Sequence, residues 1–155
     1  MSPVPGLGVV GFAGLLMATC SSSTVPSGGL PAGPPASGAA WDSRLRDYTF
    51  TFQRTCSCPP EIASRVRVRV EDAAVVEVRD AETGEAYAPE RFGAFPTVEG
   101  VLELIARARG RGAQVVDVDY DPQLGYPVRV RIDNDTREQN DEEQLHLQEL
   151  RPLRP

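Results

Sequence analysis

The run Tyr48-Thr49-Phe50-Thr51-Phe52 constrains this chain more than any other stretch, and it leads directly into Cys56-Ser57-Cys58-Pro59-Pro60. Large apolar and small polar residues alternate strictly. That is the two-residue period of a half-buried strand, written in residue types that strands favour. Burying each aromatic stabilises the fold by about 1.5–3 kcal/mol relative to leaving it in water. The three on one face therefore require a second layer packed over them.

The same period recurs downstream. Val66, Val68 and Val70 point inward with Arg65, Arg67 and Arg69 outward, and Val76 and Val78 follow after Asp72-Ala73. This reads as a hairpin whose turn lacks the usual Gly or Asn. Val116, Val118 and Tyr120 alternate with Asp117 and Asp119, and Val128, Val130 and Ile132 alternate with Arg129 and Arg131. Opposed carboxylates and guanidiniums on neighbouring strands suit a solvated sheet face. Leu145 and Leu147, with His146 between them, predict a final edge strand over 144–148, followed by a frayed tail at 151–155.

Helical signals are fewer. Thr97 is a plausible N-cap, Val98, Val101, Leu102, Ile105 and Ala108 trace one face, and Arg107, Arg109 and Gly110 suit a C-terminus. Trp41 and Leu45, four apart, predict a short N-terminal helix over 41–46, and 80–96 reads as loop. The expected fold class is α+β: a single small domain over 41–150, a mainly antiparallel sheet with one helix packed on one face. The expected order is β-β-β-α-β-β-β after the N-terminal helix.

The front of the chain sets the address. Val9 to Ala18 is an apolar run of signal-peptide length, too short to span a bilayer. It ends in Leu16-Met17-Ala18-Thr19-Cys20, which resembles the bacterial lipobox, although Thr19 stands where a smaller residue is usual and no Arg or Lys precedes the run. Residues 1–20 are thus read as a lipoprotein-type signal ending at an acylated Cys20. Residues 21–40, rich in Ser, Gly and Pro and without charge, are read as a flexible tether. The expected localisation is exported, lipid-anchored to the bacterial cell envelope, with each buried acyl methylene contributing about 0.8 kcal/mol to membrane attachment. The formal charge of −6 argues against a nucleic-acid partner, because neutralising phosphates requires a clustered basic surface.

The lipobox-like start, the Tyr-x-Phe-x-Phe strand running into Cys-x-Cys-Pro-Pro-Glu, the Thr-Val-Glu-Gly helix start at Thr97 and the Asp-Pro-x-x-Gly-Tyr-Pro turn at Asp121 together resemble an uncharacterised family of exported bacterial proteins. Many of its members are lipoproteins, and it is catalogued as the domain of unknown function numbered 6174. The resemblance runs from about Tyr48 to Glu143. It departs at Ser57, where the family pattern often has an aromatic, and in the shortness of the first helix. It implies compartment and architecture and no activity.

With Cys20 committed to lipid, Cys56 and Cys58 remain. Three readings stand: a local disulfide, free thiols packed below Phe52, or a pair that handles a soft metal or redox chemistry. Extended residues i and i+2 hold their Cβ atoms too far apart to bond, and Pro59 biases Cys58 toward extension. A bond therefore requires a sharp bend at Ser57. Asp117, Asp119 and Asp121 do not form a calcium loop, because the intervening residues demand a strand. The acidic 133–143 segment reads as a solvated loop. One histidine and no nucleophile or phosphate-loop motif point to a protein that is not an enzyme and uses no cofactor or metal. Leu124 and Tyr126, in a turn stiffened by two prolines, are candidate contacts for a partner. The leading function is a lipid-anchored extracytoplasmic binding or accessory module for an unknown protein or small molecule; the alternative is a thiol-redox or Cu(I)-handling protein using Cys56 and Cys58.

Overall fold

The aromatic run forms strand β1, Tyr48–Thr55, near the middle of one antiparallel sheet. The computed structural model describes residues 40–153. The proposed signal, Cys20 and nearly all of the tether lie outside the described residues. The elements are β1, a one-turn helix α1 (Pro60–Ala63), β2 (Val66–Glu71), β3 (Ala74–Asp80), a 3-10 helix at Pro89–Ala94, α2 (Val98–Gly110), β4 (Val115–Tyr120), β5 (Pro127–Asp133) and β6 (Glu143–Pro152). The sheet has six strands in the order β3-β2-β1-β6-β5-β4, every pair antiparallel.

One face carries the core. Tyr48, Phe50 and Phe52 are essentially inaccessible, alongside Val66, Val68, Val70, Val78, Val130, Ile132, Leu145 and Leu147. Val98, Val101, Ile105 and Ala108 of α2 close over them, joined by Phe95. The rings of Phe52 and Phe95 meet edge to face at 6.4 Å, as do those of Tyr87 and Phe95 at 5.3 Å.

The start of α2 is fixed by its own residues. Thr97 Oγ1 accepts from the Gly100 N–H at 3.1 Å. A Cβ on Gly100 would lie 3.2 Å from Pro96 Cβ, so close packing of the entry turn accounts for that glycine. At the other end the helix runs through Gly110, and the left-handed residue is Gly112 at φ +78°. The Ala113 N–H donates to Ala108 O and the Gly112 N–H to Arg109 O, which is a Schellman closure placed two residues beyond the glycine that the sequence suggests.

Three further expectations are corrected. Residues 41–46 form no helix: the Leu45 N–H donates to Asp42 O in a single turn, and Asp42 Oδ1 accepts from the backbone of Arg44. Six residues supply too few hydrogen bonds to offset helix nucleation, and the Trp41 indole is held elsewhere, donating to Glu99 Oε1 at 2.9 Å. The helix order also differs, since α1 interrupts β1 and β2 and the 3-10 turn precedes α2. Finally, β6 is a central strand reaching Pro152, and Arg151 pairs with Thr49 instead of fraying.

The turn between β2 and β3 explains how a hairpin forms without glycine. Asp72 and Ala73 both have positive φ, 51° and 61°, the conformation of a type I′ turn. The segment before β1 clamps it. The Asp72 N–H donates to Asp47 Oδ1 at 2.7 Å, the Ala73 N–H donates to Arg46 O at 3.0 Å, and the Arg46 guanidinium binds Asp72 Oδ1.

Candidate functional site

At the end of β1 the conflict between bonding and extension is settled by dividing it between residues. The Cys58 N–H donates to Cys56 O at 2.9 Å, so the chain doubles back at Ser57 and draws the two Cα atoms to 5.2 Å, with the sulfurs bonded to each other. Pro59 keeps the extended backbone that proline permits, at ψ 143°, and Pro60 opens α1 at a position that needs no N–H donor. Neither cysteine is fully buried. The bonded sulfurs offer no thiolate to a soft metal. Among the described residues, no group of three or more His, Cys, Asp or Glu side chains is placed to hold a metal ion.

The turn with Leu124 and Tyr126 is built by Asp121. Its Oδ1 accepts from the N–H groups of Gln123 and Leu124, and its carbonyl accepts from the Gly125 N–H, with Gly125 at φ +71°. This closure sends Tyr126 inward: its residue is 5% exposed and belongs to the core, with Leu124 packed against it. Burial, then the Asp121 charge, pushes the Tyr126 phenol above its ordinary range. Tyr126 is thus a core side chain and not a presented anchor.

A second phenol joins the two layers. The Tyr48 hydroxyl donates to Glu99 Oε2 at 2.9 Å and accepts from the Val98 N–H at 3.0 Å. Burial pushes its pKa well up, the Val98 hydrogen bond opposes this, and the Glu99 carboxylate adds to the rise. Trp41 meets the same ring edge to face at 5.4 Å. Residues 40–47 are thereby tied to the start of α2.

The opposite face of the sheet carries the polar half of each alternation. Its two sides differ in charge. On β4 and β5 the registers place Asp117 opposite Arg131 and Asp119 opposite Arg129, and the Asp119–Arg129 pair closes at 2.6 Å. On β2 and β1, Arg69 lies opposite Thr49 and Arg67 opposite Thr51. Arg67 also faces Arg79 of β3. Arg69 and Arg79 are neutralised by Glu71 and Glu77 on their own strands, whereas Arg67 and Arg151 form no ion pair among the described residues.

A groove of about 320 Å³ lies here, lined by Thr49, Phe50, Thr51, Arg67, Glu149 and Arg151. A bulge in β6 shapes it. The register slips between Thr49 and Thr51, and Glu149 takes φ +56°, a left-handed conformation costing a non-glycine residue about 1–2 kcal/mol. Thr51, only 4% exposed, donates to Glu149 Oε2 at 3.1 Å.

The sequence model of the Family of unknown function (DUF6174) matches residues 36–152. The chain belongs to that family. The matched span closes at the last residue of β6, in keeping with the central place of that strand in the sheet. No curated protein and no solved structure matches the chain.

The cysteine pair is legible in the sequence and the groove is not. One signal for it was present. The arginines of β5, Arg129 and Arg131, have aspartates beside them in β4, while Arg67 and Arg69 alternate beside a strand whose outward residues are Thr49, Thr51 and Gln53.

Proposed function

We propose that the protein is an exported, lipid-anchored binding or accessory module, not an enzyme, which presents the open face of its sheet to a ligand. The observation that carries the binding role is the asymmetry of the sheet: α2 and the 3-10 segment cover one face, and the other bears a groove lined by Arg67 and Arg151, which form no ion pair among the described residues. The address rests on the lipobox-like Leu16 to Cys20 and the Ser/Gly/Pro-rich spacer, with Cys20 as the lipidated residue and the bacterial cell envelope as the destination. The partner is a small molecule or protein, not nucleic acid, in keeping with the acidic charge of the chain as a whole.

Both parts have a direct test in a bacterial host carrying the full chain. Intact mass of the mature protein is expected to show a diacylated N-terminal Cys20, and Cys20→Ser is expected to move the protein out of the membrane pellet. An uncleaved, unacylated chain would overturn the address. Crosslinking from membranes is expected to yield a partner with the natural chain and to lose it with Arg67→Glu/Arg151→Glu. A captured set unchanged by that variant would overturn the open face as the recognition surface.

A further inference from the structure

We propose that the groove over β1 binds a small tetrahedral oxyanion, phosphate or sulfate. This rests on the reading of the open face as the binding surface and names its ligand class.

The argument begins with uncompensated charge. The whole chain is acidic, with a formal charge of −6, yet on the β3-β2-β1-β6 side of this face Arg65, Arg67, Arg69, Arg79 and Arg151 outnumber Glu71, Glu77 and Glu149. Arg67 sits beside a second guanidinium, Arg79, the like-charge juxtaposition that sheets avoid unless something else compensates it. Arg65 is occupied with Gln148 at 3.2 Å, and Arg69 and Arg79 with their own glutamates. Arg67 and Arg151 are left, and they line the groove from its two sides, on β2 and β6, with β1 between them.

The floor supplies the second requirement. Thr49 and Thr51 line the groove from β1, the strand between those that carry the two arginines. Planar guanidiniums match the paired oxygens of phosphate or sulfate, and hydroxyls donate to the remaining ones. Glu149 is the opposing element. Its carboxylate lines the same groove and holds the Thr51 hydroxyl, so it competes for a donor and repels an anion. It stands on the left-handed bulge, and such backbone strain concentrates at ligand sites. Glu149 therefore sets the affinity, and removing its charge while keeping its shape strengthens binding.

The test is a titration of the full chain with inorganic phosphate at constant ionic strength, chloride making up the balance. It is followed by NMR at the arginine Nε–H groups and the Thr49 and Thr51 amides. The expected result is a saturable shift at these positions, weakened at least tenfold by Arg67→Ala and by Arg151→Ala and strengthened at least threefold by Glu149→Gln. Arg129→Ala, which removes a paired arginine from the same face, is expected to change it less than twofold. Shifts linear in phosphate, or an equal loss in Arg129→Ala, would show a diffuse ionic effect and overturn the inference. Weakening by Glu149→Gln would overturn it as well. Amide spectra of each variant, compared with the natural chain, confirm that the fold is retained. Failure of phosphate to bind while Arg67→Glu/Arg151→Glu still abolishes partner capture removes this inference alone; capture indifferent to that variant removes the broader reading.

Discussion

Tyr48, Phe50 and Phe52 point into the core, while Thr49 and Thr51, the residues between them, line the open face. Both sets belong to one strand and one alternation, yet the layer over each differs completely. On the covered side the inward residues are held in one core with Phe95 and the buried face of α2. On the open side a long arginine chain meets water, and its energetic role in folding is small. A sheet covered on one side concentrates stability on that side and leaves the other available for recognition. The charge asymmetry of the open face is therefore the informative feature, because packing does not require it.

The largest expected effect tests that division directly. Phe52→Ala should lower the unfolding free energy by about 3–5 kcal/mol, since it removes a buried ring that contacts Phe95. Arg67→Ala, on the neighbouring strand but the other face, should stay within about 0.5 kcal/mol. Urea denaturation of the two variants measures both, and comparable losses would break the comparison.

Tyr48→Phe comes next, at about 1–3 kcal/mol, because it strands the Val98 N–H and one Glu99 oxygen at the seam between the layers. This residue also gives the covered face a pH signature. Its folded pKa is raised above the unfolded value near 10, so its neutral form stabilises the fold fully below that pH, and the contribution falls as pH rises from about 10 toward the folded value. Alkaline unfolding should begin above about pH 10, and the Tyr48→Phe variant should lose the part of the slope that belongs to this residue.

The disulfide lies at the edge of both faces and should matter less. Replacing Cys56 and Cys58 together by serine is expected to lower stability by about 1.6 kcal/mol, the chain-entropy value for so small a ring. Thermal unfolding with and without reductant checks it. An effect as large as that of Phe52→Ala would mean that the bend at Ser57 organises the core. Smaller than the disulfide effect, and opposite in sign, Ala73→Gly should stabilise the β2–β3 turn by about 1 kcal/mol by relieving a left-handed alanine. A loss of stability there would show that the alanine methyl contributes a contact that outweighs its backbone strain.

Much of the fold was legible because the signals are local. The alternations at Tyr48, Val66, Val116 and Val128 each specify a strand and its inward face, and Thr97 with the apolar stripe from Val98 specifies the helix. The N-terminal helix fails because its anchor is distant. Over residues 41–46 spacing alone suggests a helix, and what holds Trp41 is Glu99, far along the chain. The β2–β3 hairpin, by contrast, is legible from its flanking alternation, and its glycine-free Asp72–Ala73 turn is clamped from outside by Arg46 and Asp47. The candidate site divides the same way. The cysteine pair is contiguous in sequence and was found, while the groove joins Thr49, Arg67, Glu149 and Arg151, which no short window contains.

By itself, the sequence determined which residues alternate, hence which side chains share a face, and it set the start of α2 through its cap. Tertiary structure alone decided that β6 enters the sheet between β1 and β5, because strand order depends on pairings between distant segments, which periodicity does not encode. That placement brings Glu149 and Arg151 beside Thr49 and Thr51, and it turns a row of outward arginines into a groove with a floor.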